Sequence, residues 1–144
     1  MNAKQFLRRA YKLNVRIDSK LEQLEHWKSL AFKITSILKA DFVDNGSRTK
    51  SPMENAVVKI VVAENELNDA IERFINIKKD INETLDLMDN ENERILLELR
   101  YLCFNSWEEI AVKMNICVSY TFELHKNALK SLNKILESKG YIYE

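Results

Sequence analysis

Residues 106–132 read SWEEIAVKMNICVSYTFELHKNALKSL and decide how the C-terminal part of the chain folds. Ser106 and Glu109 have the spacing of a capping box, so a short helix is predicted to begin there. Asn115 can adopt the left-handed conformation that ends a helix, which predicts a tight turn. An amphipathic helix then follows from about Tyr120, with a core stripe and a polar exposed face. The stretch therefore predicts a helix, a tight turn and a second helix.

A third helix is predicted before this pair. The polar, acidic run Asp89–Glu93 is typical of a break followed by the first turn of a helix, where the backbone dipole favours negative charge. Apolar side chains between Ile95 and Leu102 cover a broad face, so this helix, which should end near Cys103, is a core element. Residues 89–144 are therefore predicted to form a three-helix helix-turn-helix domain. In such domains the second helix of the pair enters the major groove of DNA.

The residue pattern of this domain resembles region 4 of bacterial sigma factors, which recognises a promoter element. In that family the pieces read RYL, a loop, SxEEIA, ISxS and LHxxALxxL. This chain has RYL at 100–102, SWEEIA at 106–111, ICVS at 116–119 and LHKNALKSL at 124–132. Nothing before Met88 resembles the sigma region that melts promoters, so the chain is not a complete sigma factor. As a whole it is similar to small transcription regulators of the RinA and ArpU type from phages and prophages of Gram-positive bacteria.

The sigma resemblance implies roles for residues of the last helix. It puts Cys117 at the helix cap, three residues at positions that face base edges, and three nearer the phosphates. Of the six DNA-binding residues, Ser119, Tyr120 and Glu123 would face base edges, and Lys126, Asn127 and Lys130 would lie nearer the phosphates. Tyr120 and Phe122 depart from the family, because many sigma-like helices have arginine there. Residues 89–144 also carry seven basic and nine acidic residues, so weak DNA affinity is expected from this domain alone.

Two longer helices are predicted before the domain. Apolar residues recur every three or four positions in a first helix, and a similar stripe from Val57 to Met88 marks a second helix, with Glu64 and Lys78 interrupting the stripe. The segment Asp41–Pro52 holds one of the two glycines and the only proline, which predicts a loop. Helices of similar length joined in this way fold most simply as an antiparallel hairpin, a coiled coil over residues 1–88. The first stripe comprises Phe6, Ala10, Leu13, Ile17, Leu21, Leu24, Trp27, Ala31, Ile34 and Leu38.

The start of the second helix has Ser51 as N-cap, Pro52 at the first position and Glu54 at the third.

Charge is unevenly distributed although the formal net charge is zero. Residues 1–40 carry nine basic and three acidic residues, whereas residues 41–88 carry six basic and ten acidic ones. One interpretation is that the basic first helix pairs with the acidic second. The other is a basic arm for DNA phosphates, formed by Arg8, Arg9, Lys12 and Arg16. The sequence leaves both open.

Several classes of function are not expected. Cys103 and Cys117 are too few and too far apart for a zinc site or a disulfide framework, which indicates reduced, buried thiols. With only Gly46 and Gly140 there is no glycine-rich phosphate loop, and neither a nucleophile elbow nor a metal-binding histidine spacing occurs. We therefore expect no enzyme, no cofactor and no metal. No apolar run approaches the roughly 18 residues that span a membrane, and no signal peptide is recognisable, so a cytoplasmic protein without a membrane partner is expected.

The function expected from these features is that of a DNA-binding transcriptional regulator, encoded by a phage or prophage. Its partners would be double-stranded DNA and a second copy of itself, with a dimer favoured over larger homo-oligomers, and contact with RNA polymerase stays open. His125 and Trp107 are expected to be structural, with Trp107 packing on the third helix. Two other hypotheses remain: a structural or adaptor protein that uses its helices for assembly, and the small DNA-recognition subunit of a phage packaging terminase.

Overall fold

The fold is all-α, as predicted, and is seen in a computed structural model that describes residues 1–40 and 46–141. Within those residues there are five α-helices, one π-helical segment and no β-strand. None of the helices in these two ranges is long and apolar enough to cross a membrane. The elements are α1 (Ala3–Ala40), α2 (Gly46–Leu85), α3 (Glu91–Leu97), a π-helical segment (Glu98–Leu102), α4 (Trp107–Met114) and α5 (Val118–Ser138).

The chain divides into two compact units. The hairpin unit is Val15–Arg73, and the composite unit combines Met1–Asn14 with Phe74–Glu144. The predicted boundary between residues 88 and 89 therefore lies inside the composite unit. This difference arises because both long helices extend beyond the hairpin unit, so that their outer ends pack with the C-terminal helices.

In the hairpin unit, α1 and α2 run antiparallel. Lys20 pairs with Glu66, and the Lys28 ammonium lies 4.0 Å from the Glu64 carboxylate, so residue numbers rise along one helix as they fall along the other. The core is small and consists mostly of aliphatic side chains. It contains Leu24, Ala63 and Leu67, with Ile17, Trp27 and Ile60 packed against it.

The buried stripe of α2 differs from the predicted one in this unit. Val57, expected in the core, is 48 % exposed, and Ile71 is 36 % exposed. The buried stripe instead repeats with the alternating spacing of four and three residues that is typical of a coiled coil, and it is not interrupted at Glu64, because Ala63 lies in the seam. Alanine has a small side chain, so three of these seam positions need less space between the helices than a valine would. The seam of α2 comprises Ala56, Ile60, Ala63, Leu67 and Ala70.

The seam of α1 follows the predicted stripe closely, with one exception. Leu21 was expected in the stripe but is 42 % exposed. Its place is taken by Lys20, whose stem lies along the seam while its ammonium donates to the Glu66 carboxylate. A lysine can occupy such a position because its four methylenes are apolar.

The start of α2 also corrects the predicted loop. The helix begins at Gly46, so residues 46–52 are helical and Pro52 lies inside the helix, not at its first position. Polar residues lower helix propensity only weakly, whereas an interior proline removes one backbone hydrogen bond and crowds the carbonyl four residues earlier, so the first turns of α2 are intrinsically the weaker part of this helix. Residues 41–45 of the predicted loop, and the side chain of Ser51, lie outside the described part of the structure.

The composite unit packs both ends of the chain around one core. The backbone N–H of Ala3 donates to the Asn133 side chain on α5 at 2.8 Å. The rings of Phe6 and Tyr141 meet edge to face, with centroids 5.5 Å apart. The core draws on α1, α2 and all the C-terminal helices. Its fully buried members include Phe6, Leu7, Ile81, Leu85, Leu96, Leu97, Ile110, Leu132 and Leu136.

The third helix is confirmed with one added feature. Asn90 caps α3 by accepting a hydrogen bond from the Glu93 backbone at 3.1 Å. The helix then widens into the π-helical segment and ends at Leu102, one residue before the predicted end. Phe104 follows with a positive φ of 58°. The Arg100 guanidinium donates to the Asn105 carbonyl at 3.0 Å, which fixes the loop into α4.

Candidate nucleic-acid interface

The start of α4 has the predicted capping box. The Ser106 hydroxyl accepts from the Glu109 backbone N–H, and the Glu109 carboxylate accepts from the Ser106 backbone N–H, both at 3.2 Å. Two backbone donors that the helix cannot satisfy internally are thereby satisfied. Because both partners lie within four residues, the local sequence is sufficient to place this helix end.

The turn after α4 also has the predicted geometry. Asn115 adopts the left-handed conformation, with φ 56° and ψ 48°. The Ile116 backbone N–H donates to the Ala111 carbonyl at 3.0 Å, which closes the end of the helix. Three residues, 115–117, separate α4 from α5. The short turn fixes the direction in which α5 leaves α4.

The first turn of α5 begins after Cys117, which has extended backbone angles at the cap, as the resemblance implied, although its side chain makes no capping hydrogen bond. Thr121 is buried, and its hydroxyl donates to the Cys117 carbonyl at 2.9 Å. Cys117 and Cys103 are free thiols, but both are exposed, so their predicted burial is wrong. Each lies at the end of a helical segment, where the chain turns at the surface.

All six residues assigned to DNA are exposed on α5. Four of them, Ser119, Glu123, Lys126 and Lys130, are spaced by four, three and four residues and therefore share one helix face. Tyr120 and Asn127, seven residues apart, flank that face. Opposite it, α5 buries Thr121, Leu124, Ala128, Leu132 and Leu136 in the composite core. We call the six exposed residues the α5 face.

The α5 face carries two cations and one anion. Among the described residues, no carboxylate lies within salt-bridge distance of Lys126 or Lys130, so both ammonium groups are available to an external anion. Phe122, which the resemblance does not assign to DNA, is 48 % exposed next to this face. Its ring contacts Trp107, with centroids 5.2 Å apart.

Trp107 and His125 form an aromatic cluster beside the α5 face. Trp107 lies against α5, with its ring centroid 4.6 Å from that of His125, and the Arg100 guanidinium covers it at 4.3 Å. It thus packs on Arg100 in the π-helical segment, which is the end of the predicted third helix, and also on α5. The Tyr101 hydroxyl lies 2.7 Å from His125 Nε2. These contacts agree with the structural roles expected for both residues.

Burial, together with the positive charges of Lys4 and Arg100, lowers the pKa of His125 to about 4. The folded state therefore binds a proton on His125 less readily than the unfolded state, whose pKa is near 6.5. Above about pH 6.5, His125 is neutral in both the folded and the unfolded state, so its protonation does not reduce the free energy of unfolding. Stability should be lost as the pH falls from about 6.5 toward 4.

The loss at His125 should amount to about 1–2 kcal/mol after allowance for the partial exposure of the ring. Urea unfolding at pH values between 5 and 7 measures it. His125→Gln should flatten the dependence, whereas His26→Gln, a change at an exposed histidine, should leave it unchanged. An equal pH slope in the native chain and in His125→Gln would show that His125 is not the titrating group.

The basic side chains of α1 fall into two groups. Arg9 lies 3.0 Å from the Asp80 carboxylate in the composite unit, and Lys20 and Lys28 pair with α2 in the hairpin unit. The interpretation in which α1 pairs with α2 therefore holds for these three. Arg8, Lys12 and Arg16, by contrast, are exposed and take part in no ion pair among the described residues. Arg9 is thus removed from the proposed basic arm, and the other three remain candidates.

These features define an all-helical protein in which an exposed helix face follows a tight turn. The chain belongs to the family described as "Protein of unknown function (DUF1492)", whose model matches residues 32–133. The matched range includes all of α2, α3 and α4 and most of α5. No curated protein matched the chain, and no solved structure matched it.

Proposed function

We propose that this protein is a DNA-binding transcriptional regulator of a phage or prophage, acting in the cytoplasm of the bacterial host. The α5 face carries the proposal, because it is exposed along one side of a helix that follows a three-residue turn. A helix presented in this way fits the major groove of DNA. The resemblance of residues 100–132 to sigma region 4, and of the whole chain to regulators of the RinA and ArpU type, supports the same function.

Under this proposal, the residues of the α5 face have two different roles. Ser119, Tyr120 and Glu123 lie in the first two turns, where a recognition helix approaches base edges. Lys126 and Lys130 lie further along, where their ammonium groups meet phosphates, and Asn127 lies beside them. A phosphate contact contributes to affinity for every sequence, whereas a base contact determines which sequence is preferred.

Changing both lysines to alanine tests the phosphate role. Lys126→Ala/Lys130→Ala should weaken binding to all duplexes about tenfold and reduce the slope of log affinity against log salt by about 2, since each lysine neutralises one phosphate. Fluorescence anisotropy with labelled duplexes measures both effects. The duplexes come from the DNA upstream of the protein's own coding region, with shuffled sequences for comparison, at low and moderate salt.

Two comparisons make this test specific. Lys59→Ala/Lys79→Ala removes two exposed lysines of α2 and should leave affinity within about twofold of the native value. Glu123→Ala should change the order of preference among duplexes. Absence of salt-dependent binding, both with and without RNA polymerase, would count decisively against the proposal.

A second copy of the chain is part of the proposal. The acidic balance of residues 89–144 limits the affinity of one copy, and two recognition helices on adjacent half-sites would raise it. The hairpin unit supplies a contact surface, because four valines of α2 are exposed: Val57, Val58, Val61 and Val62. Two helices bury only the faces they share, and a second pair would complete a four-helix bundle. RNA polymerase is a further proposed partner.

A further inference from the structure

The composite unit contains a cavity that none of the six residues of the α5 face lines. Its volume is about 460 Å³, it is open to solvent, and it is lined by residues of the start of α1, the π-helical segment, the loop after that segment, the start of α4, and by His125 of α5. Pockets that hold small molecules commonly have volumes of roughly 300–1,000 Å³. The cavity is therefore large enough for a ligand of nucleotide size.

Three cations line the cavity. Lys4 and Arg8 reach it from α1, and Arg100 reaches it from the π-helical segment. None of the described residues that line it is a carboxylate, and no described ion pair includes any of the three cations. Lys4 and Arg8 lie four residues apart on one exposed face of α1, so their charges converge. An anion with more than one negative charge complements this group.

The remaining walls are mostly aromatic. Tyr11 is 49 % exposed, so one of its faces is available, and its ring meets Phe104 with centroids 6.1 Å apart. Trp107 and His125 also line the cavity, and their rings pack on each other. His125 favours its neutral form because burial lowers its pKa to about 4. Its ring therefore adds a flat, uncharged surface at neutral pH.

We propose that this cavity binds a phosphorylated nucleoside, with the phosphates against Lys4 and Arg8 and the base against the exposed ring of Tyr11. Arginine and lysine are the usual partners of phosphate, and aromatic rings stack with any nucleobase. A free nucleotide and the terminal nucleotide of a nucleic-acid strand share this chemistry. The site is independent of the α5 face, so it can exist whether or not α5 binds duplex DNA.

Titration with ATP tests this site through the fluorescence of Trp107. The chain has two tryptophans, and Trp27→Phe in the hairpin unit leaves Trp107 as the only reporter. ATP at low salt should change this fluorescence saturably, and Arg8→Glu should weaken binding at least about tenfold. Lys33→Glu is the matched control, because it makes the same charge change at an exposed position of the same helix, outside the lining, and it should stay within about twofold. Circular dichroism checks that both variants keep their helices.

The affinities for several ligands, measured in the same titration, distinguish the possible occupants of the cavity. Stronger binding of ATP than of inorganic tripolyphosphate and O-phosphotyrosine supports recognition of a nucleoside. Stronger binding of a single-stranded oligonucleotide than of ATP, with the same loss in Arg8→Glu, supports the strand end as the source. Persistence of ATP binding in Lys126→Ala/Lys130→Ala supports a site separate from the α5 face. The proposal is overturned by equal affinity for tripolyphosphate, by equal losses in Arg8→Glu and Lys33→Glu, or by no saturable change up to about 5 mM ATP.

Discussion

Phe6→Ala should destabilise the composite unit by about 3–5 kcal/mol, the range for removing a buried aromatic ring from a core. Phe6 is 0 % exposed. Its ring contacts Tyr141 near the other end of the chain, and the Arg9 guanidinium lies 4.4 Å from its centroid. Removal therefore leaves a cavity where the two ends of the chain meet. Urea unfolding followed by Trp107 fluorescence in the Trp27→Phe background measures the loss in that unit.

Phe32 provides the matched control on the same helix. It is 74 % exposed, so Phe32→Ala should change the free energy of unfolding by no more than about 0.5 kcal/mol. If Phe6→Ala proved as mild as Phe32→Ala, the start of α1 would not belong to the core of the composite unit, and the C-terminal helices would be stable without it.

Val58→Asp/Val61→Asp should convert the proposed dimer into a monomer. Both valines are exposed and lie on the side of α2 away from the seam, so the change spares the hairpin itself. In a dimer, each substitution would bury a carboxylate in place of an apolar side chain in both copies. The dissociation constant should rise at least a hundredfold, equivalent to roughly 3 kcal/mol or more. Size-exclusion chromatography with light scattering measures the mass, and circular dichroism monitors the helices.

Asn76→Asp/Asn82→Asp is the control for added charge, since it places two carboxylates at exposed positions elsewhere on α2. That variant should remain dimeric. A native chain that is monomeric at all concentrations tested, or an unchanged mass in Val58→Asp/Val61→Asp, would contradict the proposed contact. A ring of eight or more copies would instead favour the packaging-subunit hypothesis.

The helix ends of the C-terminal region could be predicted because their causes are local. The Ser106–Glu109 capping box and the left-handed Asn115 depend on residues within one turn, and both are confirmed. The exposure of the six residues of the α5 face followed from helical periodicity in the same way. That these residues bind DNA stays a prediction, because exposure alone does not identify a partner.

The seam of the hairpin could not be placed from hydrophobicity alone. Valine is more hydrophobic than alanine, so the stripe of α2 was assigned through Val57 and Ile71. Where two helices approach closely, however, side-chain volume selects the residue, and Ala56 and Ala63 occupy the contact. A search for apolar residues spaced alternately three and four positions apart, with alanine counted as apolar, identifies the seam.

The packing of α1 on the C-terminal helices had no local signal. Ala3 and Phe6 contact residues about 130 positions away in sequence, and nothing near either end of the chain marks that pairing. The cavity lined by Lys4, Arg8 and Arg100 was missed for the same reason, since its cations come from distant segments. Only the tertiary fold brings these residues together.

The discontinuity of the composite unit has a consequence for its formation on the ribosome. Residues 1–14 emerge before their partners on α5, so this core cannot close until α5 has been synthesised. Residues 15–73, in contrast, contain both halves of the hairpin unit and can pair earlier. Closing contacts over such a distance is entropically costly and slow. A chain truncated before α5 would therefore display a paired hairpin but lack the finished core of the composite unit.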